Sequence, residues 1–343
     1  MTAFESKSDK KPLRTLPSPG QVCFGLFSFF CLLLLLRNAE IAMEYIQQGL
    51  LLCARMVIPA LFPFMILSEL LVSGGGIQWI PQWCWRPLER LLRLSRAGCS
   101  ALLLGWLCGS PVGARCACLA FDRGELTKRE AERVLQASCT PSSAFLINAV
   151  GISLWGSRSF GWWLYAAILL SALGICIGTG RWGQKRTPRE PPEKALPSSP
   201  CGPRGAGRFT EAIASATRSI LTVCAYVIFF SALMGALTYA LGALRVPSII
   251  CTLLFCLLEI SGGVGQASGT APLLLGGVLT AFACGWSGLS MHCQVLSICD
   301  GRGFAFRSYF GAKLLQGLLC ALVLGLVLLL FPQGFGLVEH PGL

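Results

Sequence analysis

Charge and imidazole are what this chain has least of. Only 13% of its residues are charged, and His292 and His340 are its two histidines. A soluble domain carries about a quarter charged residues. The low charge, a hydrophobic content of 54% and a mean hydropathy of +0.65 exclude a soluble globule. No C-x-x-C occurs, the tightest cysteine pair being Cys116-Ala117-Cys118, and the histidines lie far apart, so a metal site has little support. Most of the 18 cysteines, Cys53, Cys108, Cys224, Cys256 and Cys320 among them, fall in apolar runs. There a thiol acts as a small polarisable hydrophobe. Absent too are G-x-x-x-x-G-K-[ST], H-E-x-x-H and G-x-S-x-G. The glycine clusters at 74–76 and 262–265 lack the strand–helix setting of a dinucleotide loop. Neither an enzyme nor a cofactor is expected. The net charge of +12 comes without aromatic or groove-reading elements, so nucleic acid is not an expected partner.

What the chain does have is apolar length. Runs near the roughly 20 residues that cross a bilayer occur at 21–36, 46–72, 98–121, 138–156, 160–180, 212–241, 248–260, 271–299 and 308–331. The expected class is an all-α polytopic membrane protein, with the lipid bilayer as a partner. Lys7, Lys10, Lys11 and Arg14 precede the first run, which ends in leucines and Arg37 without a small-residue cleavage site. This predicts a disordered cytoplasmic tail over 1–20 and an uncleaved transmembrane anchor over 21–37. Residues 181–210 hold seven Lys/Arg and six Pro and read as a solvated cytoplasmic linker. Residues 332–343 are left as a C-terminal tail.

The linker separates two stretches, 45–180 and 211–331, that echo each other. Helix 51–71 precedes "CGSPVGARC" in the first, and 219–240 precedes "LLEISGGVGQASG" in the second. "SCTPSSAFLINAVG" (138–151) corresponds to "GWSGLSMHCQVLSI" (285–298), and each stretch closes on an apolar span. With the N-terminus inside and 98–121 re-entrant, the basic 73–97 loop, the 122–137 segment and the linker all fall in the cytoplasm. That bookkeeping makes the halves antiparallel, each with three full spans and a helical hairpin, the inverted-repeat plan of secondary transporters. Residues 122–137 read as a short solvated surface helix, with Thr127 and Glu130 as a capping box and Glu125–Arg129 and Lys128–Glu132 as i,i+4 pairs.

Three intramembrane segments depart from lipid solubility. In the first, Gly109-Ser110-Pro111-Val112-Gly113 breaks a helix, and Ser110 as N-cap with Pro111 restarts it. The new N-terminus offers free N–H donors to an anion; the alternative is a kinked, packed helix. In the second, Glu259 sits in an apolar run before Ser261 and a Gly262–Gly265 turn. An ionisable group there needs a partner, and Arg115 is the obvious one, with Lys313 the alternative. The third is a pair of hydroxyl and amide clusters, Thr140, Ser142, Ser143 and Asn148 against Ser287, Ser290, His292 and Gln294. Such groups serve either tight helix packing or a shared cavity.

In this order, "IPALFPFMILSELL" (58–71), "GSPVGA" (109–114), "GELTKREAERVL" (124–135), "LLEISGGVGQAS" (257–268) and "WSGLSMHCQV" (286–295) resemble the YlbJ (SpoVV) type of sporulation integral membrane proteins. That type is a branch of the nucleoside-recognition or Gate-domain superfamily. The resemblance covers about residues 45–330; "SCTPSSAFLI" is only similar to the form of that position in the family. It implies a spore-former, a place in the mother-cell membrane around the forespore, and movement of dipicolinic acid toward the forespore. A planar aromatic dianion suits opposed half-helix N-termini. The expected substrate-binding set is Ser110, Gly113, Arg115, Thr140, Ser142, Asn148, Glu259, Ser261, Gln266, Ser287, Ser290, His292 and Gln294. Arg115 or the amides near Ser110 would contact a carboxylate, and Gln266, Ser290 and Gln294 would line the cavity. The alternatives are a non-transporting scaffold or sensor and a nucleoside-type solute transporter. A homo-oligomer is compatible with the sequence.

Overall fold

The computed structural model describes residues 19–73, 81–182 and 206–331. Most of the expected N-terminal tail, the glycines at 74–76, the centre of the linker and the 332–343 tail lie outside the described residues. Those residues form fourteen α-helices and two π-helical segments, with no strand among them. In order these are α1 (Pro19–Arg37), α2 (Ala39–Leu52), a π-helical turn (Cys53–Val57), α3 (Ile58–Ser73), α4 (Gln82–Leu92), α5 (Arg96–Cys108) and α6 (Ser110–Asp122). Then follow α7 (Lys128–Ser138), a π-helical segment (Phe145–Leu154), α8 (Arg158–Trp182), α9 (Ala206–Ala243), α10 (Ser248–Leu258), α11 (Ile260–Ser268), α12 (Leu273–Trp286), α13 (Gly288–Cys299) and α14 (Phe306–Leu330).

Four helical stretches are long and apolar enough to cross a membrane: Arg158–Arg181, Gly207–Ala243, Leu273–Cys299 and Phe306–Leu330. Two bent pairs bring the number to six. Gly25–Arg37 meets Ala39–Arg55 at 99°, and Trp83–Leu92 meets Arg96–Cys108 at 86°. Several expectations change here. The anchor begins at Pro19, inside the expected tail, and turns sharply into α2. The 46–72 run is shared among α2, the π-helical turn and α3. Part of the expected 73–97 loop is the helix α4, which buries Trp85 and Leu92 and exposes Arg86 and Arg90; an amphipathic period, read as a run of charges, hides a helix. α8 and α9 reach to Trp182 and back to Ala206, shortening the linker.

Both hairpins fold back sharply. At the first, Gly109 (φ 96°) ends α5 and caps α6. A Cβ on Gly105 would lie 3.1 Å from the Cα of Gly113, so the legs touch backbone to backbone. Only glycine permits that approach. At the second, the break is at Glu259, in extended conformation (φ −148°, ψ 129°), and not at the glycines of 262–265, which lie inside α11. Gly263 packs α11 on α10: a Cβ there would sit 2.6 Å from the Cα of Cys256. The two breaks stand 150 residues apart.

The expected full spans at 138–156 and 271–299 are each interrupted. The first leaves helical geometry between α7 and the π-helical segment. The second is broken at Ser287 (φ 76°) and Gly288 (φ 73°), between α12 and α13. Each hairpin tip meets the break in its own half of the chain. A Cβ on Gly109 would lie 3.0 Å from the amide of Ser142, and one on Gly288 would lie 2.9 Å from the amide of Ile260.

α7 is not a solvated arm. Ala131, Arg133, Val134, Leu135, Gln136, Ala137 and Ser138 are all buried against its neighbours. Arg133 donates to the carbonyls of Leu92 (2.6 Å) and Arg93 (2.8 Å), which end α4, and of Cys176 (3.1 Å) in α8. A guanidinium satisfying orphaned helix-end carbonyls explains why a charge is tolerated there. Thr127 does cap Glu130 (3.2 Å), but the carboxylate of Glu130 takes the amide of Ser95 and thereby serves the start of α5. Glu132 likewise accepts from the amide of Ala305 (2.8 Å) and not from Lys128.

The legs of the first hairpin give a direct test. A Cβ on Gly113 would lie 2.8 Å from the carbonyl oxygen of Ser138 and 2.9 Å from the Cα of Gly105. Gly113→Val is expected to cost about 1–3 kcal/mol through overpacking, read as a fall in thermal midpoint in detergent. Gly174→Ala, with nothing within 4 Å of the new Cβ, is expected to be neutral or stabilising by up to about 1 kcal/mol.

Candidate functional site

A helix break strands carbonyls at the end it closes and N–H groups at the end it opens. In lipid surroundings each such group costs several kcal/mol unless protein satisfies it. The first break is served from 106–109 outward. The Trp106 carbonyl accepts from Tyr165 Oη (3.2 Å), the Leu107 carbonyl from Ser143 Oγ (3.1 Å), and the Gly105 carbonyl from the amide of Gly109 (2.8 Å). At the second, Trp286 Nε1 donates to the Leu257 carbonyl (3.0 Å). Leu107 and Leu257 each stand two residues before a break, and each is served by a side chain from the interrupted helix its hairpin touches.

The charges are placed differently from expectation. Arg115 does not meet Glu259. Its Nε lies 3.1 Å from Glu69 Oε2, and its terminal nitrogens reach Ser219 Oγ (2.8 Å), the Ser215 carbonyl (3.4 Å) and Ser215 Oγ. It ties α6 to α3 and α9 at a partly exposed position, in the wall of a small pocket lined also by Met65, Glu69, Val112, Cys116, Leu119 and Ala216. Glu69, in the apolar 58–71 run, was the missed partner; a carboxylate inside a span is the signal that points to it. Glu259 serves its own helix instead, its Oε2 accepting from the amide of Gly262 (2.8 Å) as the N-cap of α11. Ser110 is likewise not a cap. Gly109 fills that place, and the hydroxyl of Ser110, at 1% exposure, has no partner.

A second group of polar side chains lies fully buried where the first hairpin, the interrupted 138–145 segment and α13 and α14 come together. Lys313, on α14 and with 0% of its surface exposed, donates from Nζ to the Cys139 carbonyl (2.6 Å) and to Gln316 Oε1 (2.6 Å). No carboxylate among the described residues pairs with it. One turn earlier on α14, Tyr309 Oη meets His292 Nδ1 at 3.1 Å. The imidazole is enclosed by Trp286, Tyr309 and Phe310, and its Nε2 is unpartnered. The buried hydroxyls of Ser138, Thr140 and Ser290 also lack partners. Ser110 and Ser138 lie beside the Cys139 thiol.

The remaining expected site residues are spread more widely. Ser142 is buried and accepts from the amide of Phe145 (3.2 Å), starting the π-helical segment. Asn148 is on that segment's exposed face, away from the buried group. Ser287 is buried and donates to the Cys284 carbonyl (3.2 Å). Gln294 is buried on α13, and Ser261 and Gln266 are half-buried on α11. Gly113 serves leg packing. At the loop after α13, Arg302 makes a two-pronged bond to Asp122 (2.7 and 2.9 Å), and that carboxylate holds its guanidinium above the ordinary range. His292 and the cysteines form no group of three metal-ligating side chains among the described residues.

All-helical, with four to six helical stretches that can cross a bilayer, the chain is a polytopic α-helical membrane protein. It is 25% identical over 324 residues, 86% of its own length and 79% of the relative's, to the sporulation integral membrane protein YlbJ of Bacillus subtilis (strain 168). That similarity supports a YlbJ-type family assignment. No family model and no solved structure matches the chain.

The cap at Glu259 is directly testable. Glu259→Ala is expected to lower stability by about 1 kcal/mol, as loss of an N-cap does, and Glu259→Asp by less, measured by thermal unfolding of the detergent-solubilised chain. Equal losses for the two would show that the carboxylate serves some other partner.

Proposed function

We propose that this chain is a sporulation membrane transporter. It carries a small anionic solute, dipicolinic acid, from the mother cell across the outer forespore membrane by alternating access, without an enzymatic step. The observation that carries this reading is the recurrence of one arrangement on either side of the linker. In both places a helical hairpin lays its tip against an interrupted helix of the same half, and that helix satisfies the carbonyl two residues before the tip. Non-helical backbone at membrane depth is tolerated where it is enclosed by protein or lines a cavity. In secondary transporters such breaks form the substrate site between inverted repeats.

The similarity to a sporulation protein supports the cellular setting, and the buried cation at Lys313 supports an anionic cargo. The repeats of this reading are 45–180 and 211–331, each with three spans and a hairpin. The purified full chain in liposomes is expected to take up radiolabelled dipicolinate saturably, above protein-free vesicles. Uptake equal to the protein-free control, for dipicolinate and for nucleosides alike, would remove the transport reading in favour of a scaffold.

A further inference from the structure

Among the described residues Arg115, Arg133 and Lys313 are cations on packed helices, and Arg133, at 9% exposure, is held by three backbone carbonyls. Arg115 has Glu69 at 3.1 Å, so its charge is compensated. Lys313 is more deeply buried, at 0% exposure, and meets only neutral acceptors, the Cys139 carbonyl and Gln316 Oε1. An ammonium has three N–H donors, and these two bonds use two of them. A desolvated charge without a counter-ion is expensive, and a buried charge is ordinarily paired.

Several buried polar groups of the same cluster have hydrogen-bonding capacity to spare. Ser110 Oγ stands at the first turn of α6, a helix of 13 residues whose N-terminus carries positive dipole potential. Thr140 Oγ1 follows directly on the carbonyl that Lys313 grips. Both hydroxyls are 1% exposed and make no well-formed hydrogen bond, Ser110 lying beside the Cys139 thiol, and Nε2 of the fully buried His292 is likewise unbonded. Cation, helix N-terminus and free hydroxyls are complementary to a carboxylate, which has two oxygens, accepts only, and brings the missing negative charge.

We propose that Lys313 is the anchor for a carboxylate of the transported molecule, with Ser110 and Thr140 donating to the same group. The ligand class is a small organic acid, aromatic or not, in its ionised form. This rests on the transport reading above. The hairpin tip packs on the break at Ser142, where a Cβ on Gly109 would lie 3.0 Å from the amide, and a ligand reaches this buried centre only when packing of that kind opens.

The test is equilibrium binding of radiolabelled dipicolinate to the full chain in detergent, followed by a panel of benzoate, phthalate and succinate. Removing one side of a buried charge pair weakens binding strongly. Lys313→Gln, which keeps a hydrogen-bonding head without charge, is expected to bind at least about tenfold more weakly, and Lys313→Arg to retain more of the affinity than Lys313→Gln. A folded Lys313→Gln that loses less than that overturns the proposal and leaves the transport reading standing. Wild-type chain that ignores dipicolinate but binds another carboxylate through Lys313 overturns the assigned cargo and supports the anchor. Wild-type chain that binds no carboxylate overturns both. Should Lys313→Gln fail to elute as a folded species, the double variant Ser110→Ala with Thr140→Val carries the test. A tenfold weakening supports the proposal and a smaller change overturns it.

Discussion

The need to satisfy broken backbone from within governs this structure. Four interruptions, at Gly109, after Ser138, at Glu259 and at Ser287, open helices that an apolar setting cannot solvate. Side chains serve all four: Ser143 and Tyr165 at Gly109, Trp106 and Lys313 after Ser138, Trp286 and the Glu259 carboxylate at Glu259, and the hydroxyl of Ser287 on the Cys284 carbonyl. The close approaches follow from that need. Partners reach the breaks because glycine at 105, 113, 263 and 288 lets backbone come against backbone. Small residues in membrane helices are thus a condition for having breaks at all.

Charge obeys the same rule with higher stakes. Arg133 is spent on the end of α4, Glu130 on the start of α5, Glu259 on α11, and Arg115 is matched by Glu69. These four settle into local or pairwise structural duties. Lys313 and Arg133 are both buried with only neutral acceptors, Lys313 at 0% exposure and Arg133 at 9%. No carboxylate among the described residues meets Lys313, which sets it apart from Arg115.

The legibility of these features follows from how local their chemistry is. The break at Gly109 could be read because Gly, Ser and Pro at successive positions act on their own backbone. The break at Glu259 could not. Its conformation is ordinary extended backbone, and the conspicuous glycines three to six residues later serve packing inside a helix. The partner of Arg115 was misplaced because the choice between Glu69 and Glu259 is made by how α3 crosses α6, a tertiary fact with no trace in spacing. α7 was recognisable as a helix from Thr127 and its apolar period, but its burial depends on what Arg133 and Gln136 find on other helices. Lys313 was visible as a lysine inside an apolar span; that its surroundings are neutral was not.

One consequence follows from where the hairpin tips find their partners. The carbonyls of Leu107 and Leu257 are served by Ser143 and Trp286, side chains from the same side of the linker as the tip they serve. The polar contacts that join the two sides include Arg115 to Ser215 and Ser219, Arg302 to Asp122, Glu132 to the Ala305 amide, Gln136 to Ser308 and Lys313 to the Cys139 carbonyl. Both buried apolar clusters also draw on the two sides, with α2 and α3 packed on α9 and α8 on α14, so the tips are bonded locally while the seam is held by shared core as well as by polar contacts. A shift of one side past the other would have to disturb that shared core as well, while the bonds at each tip lie within one side.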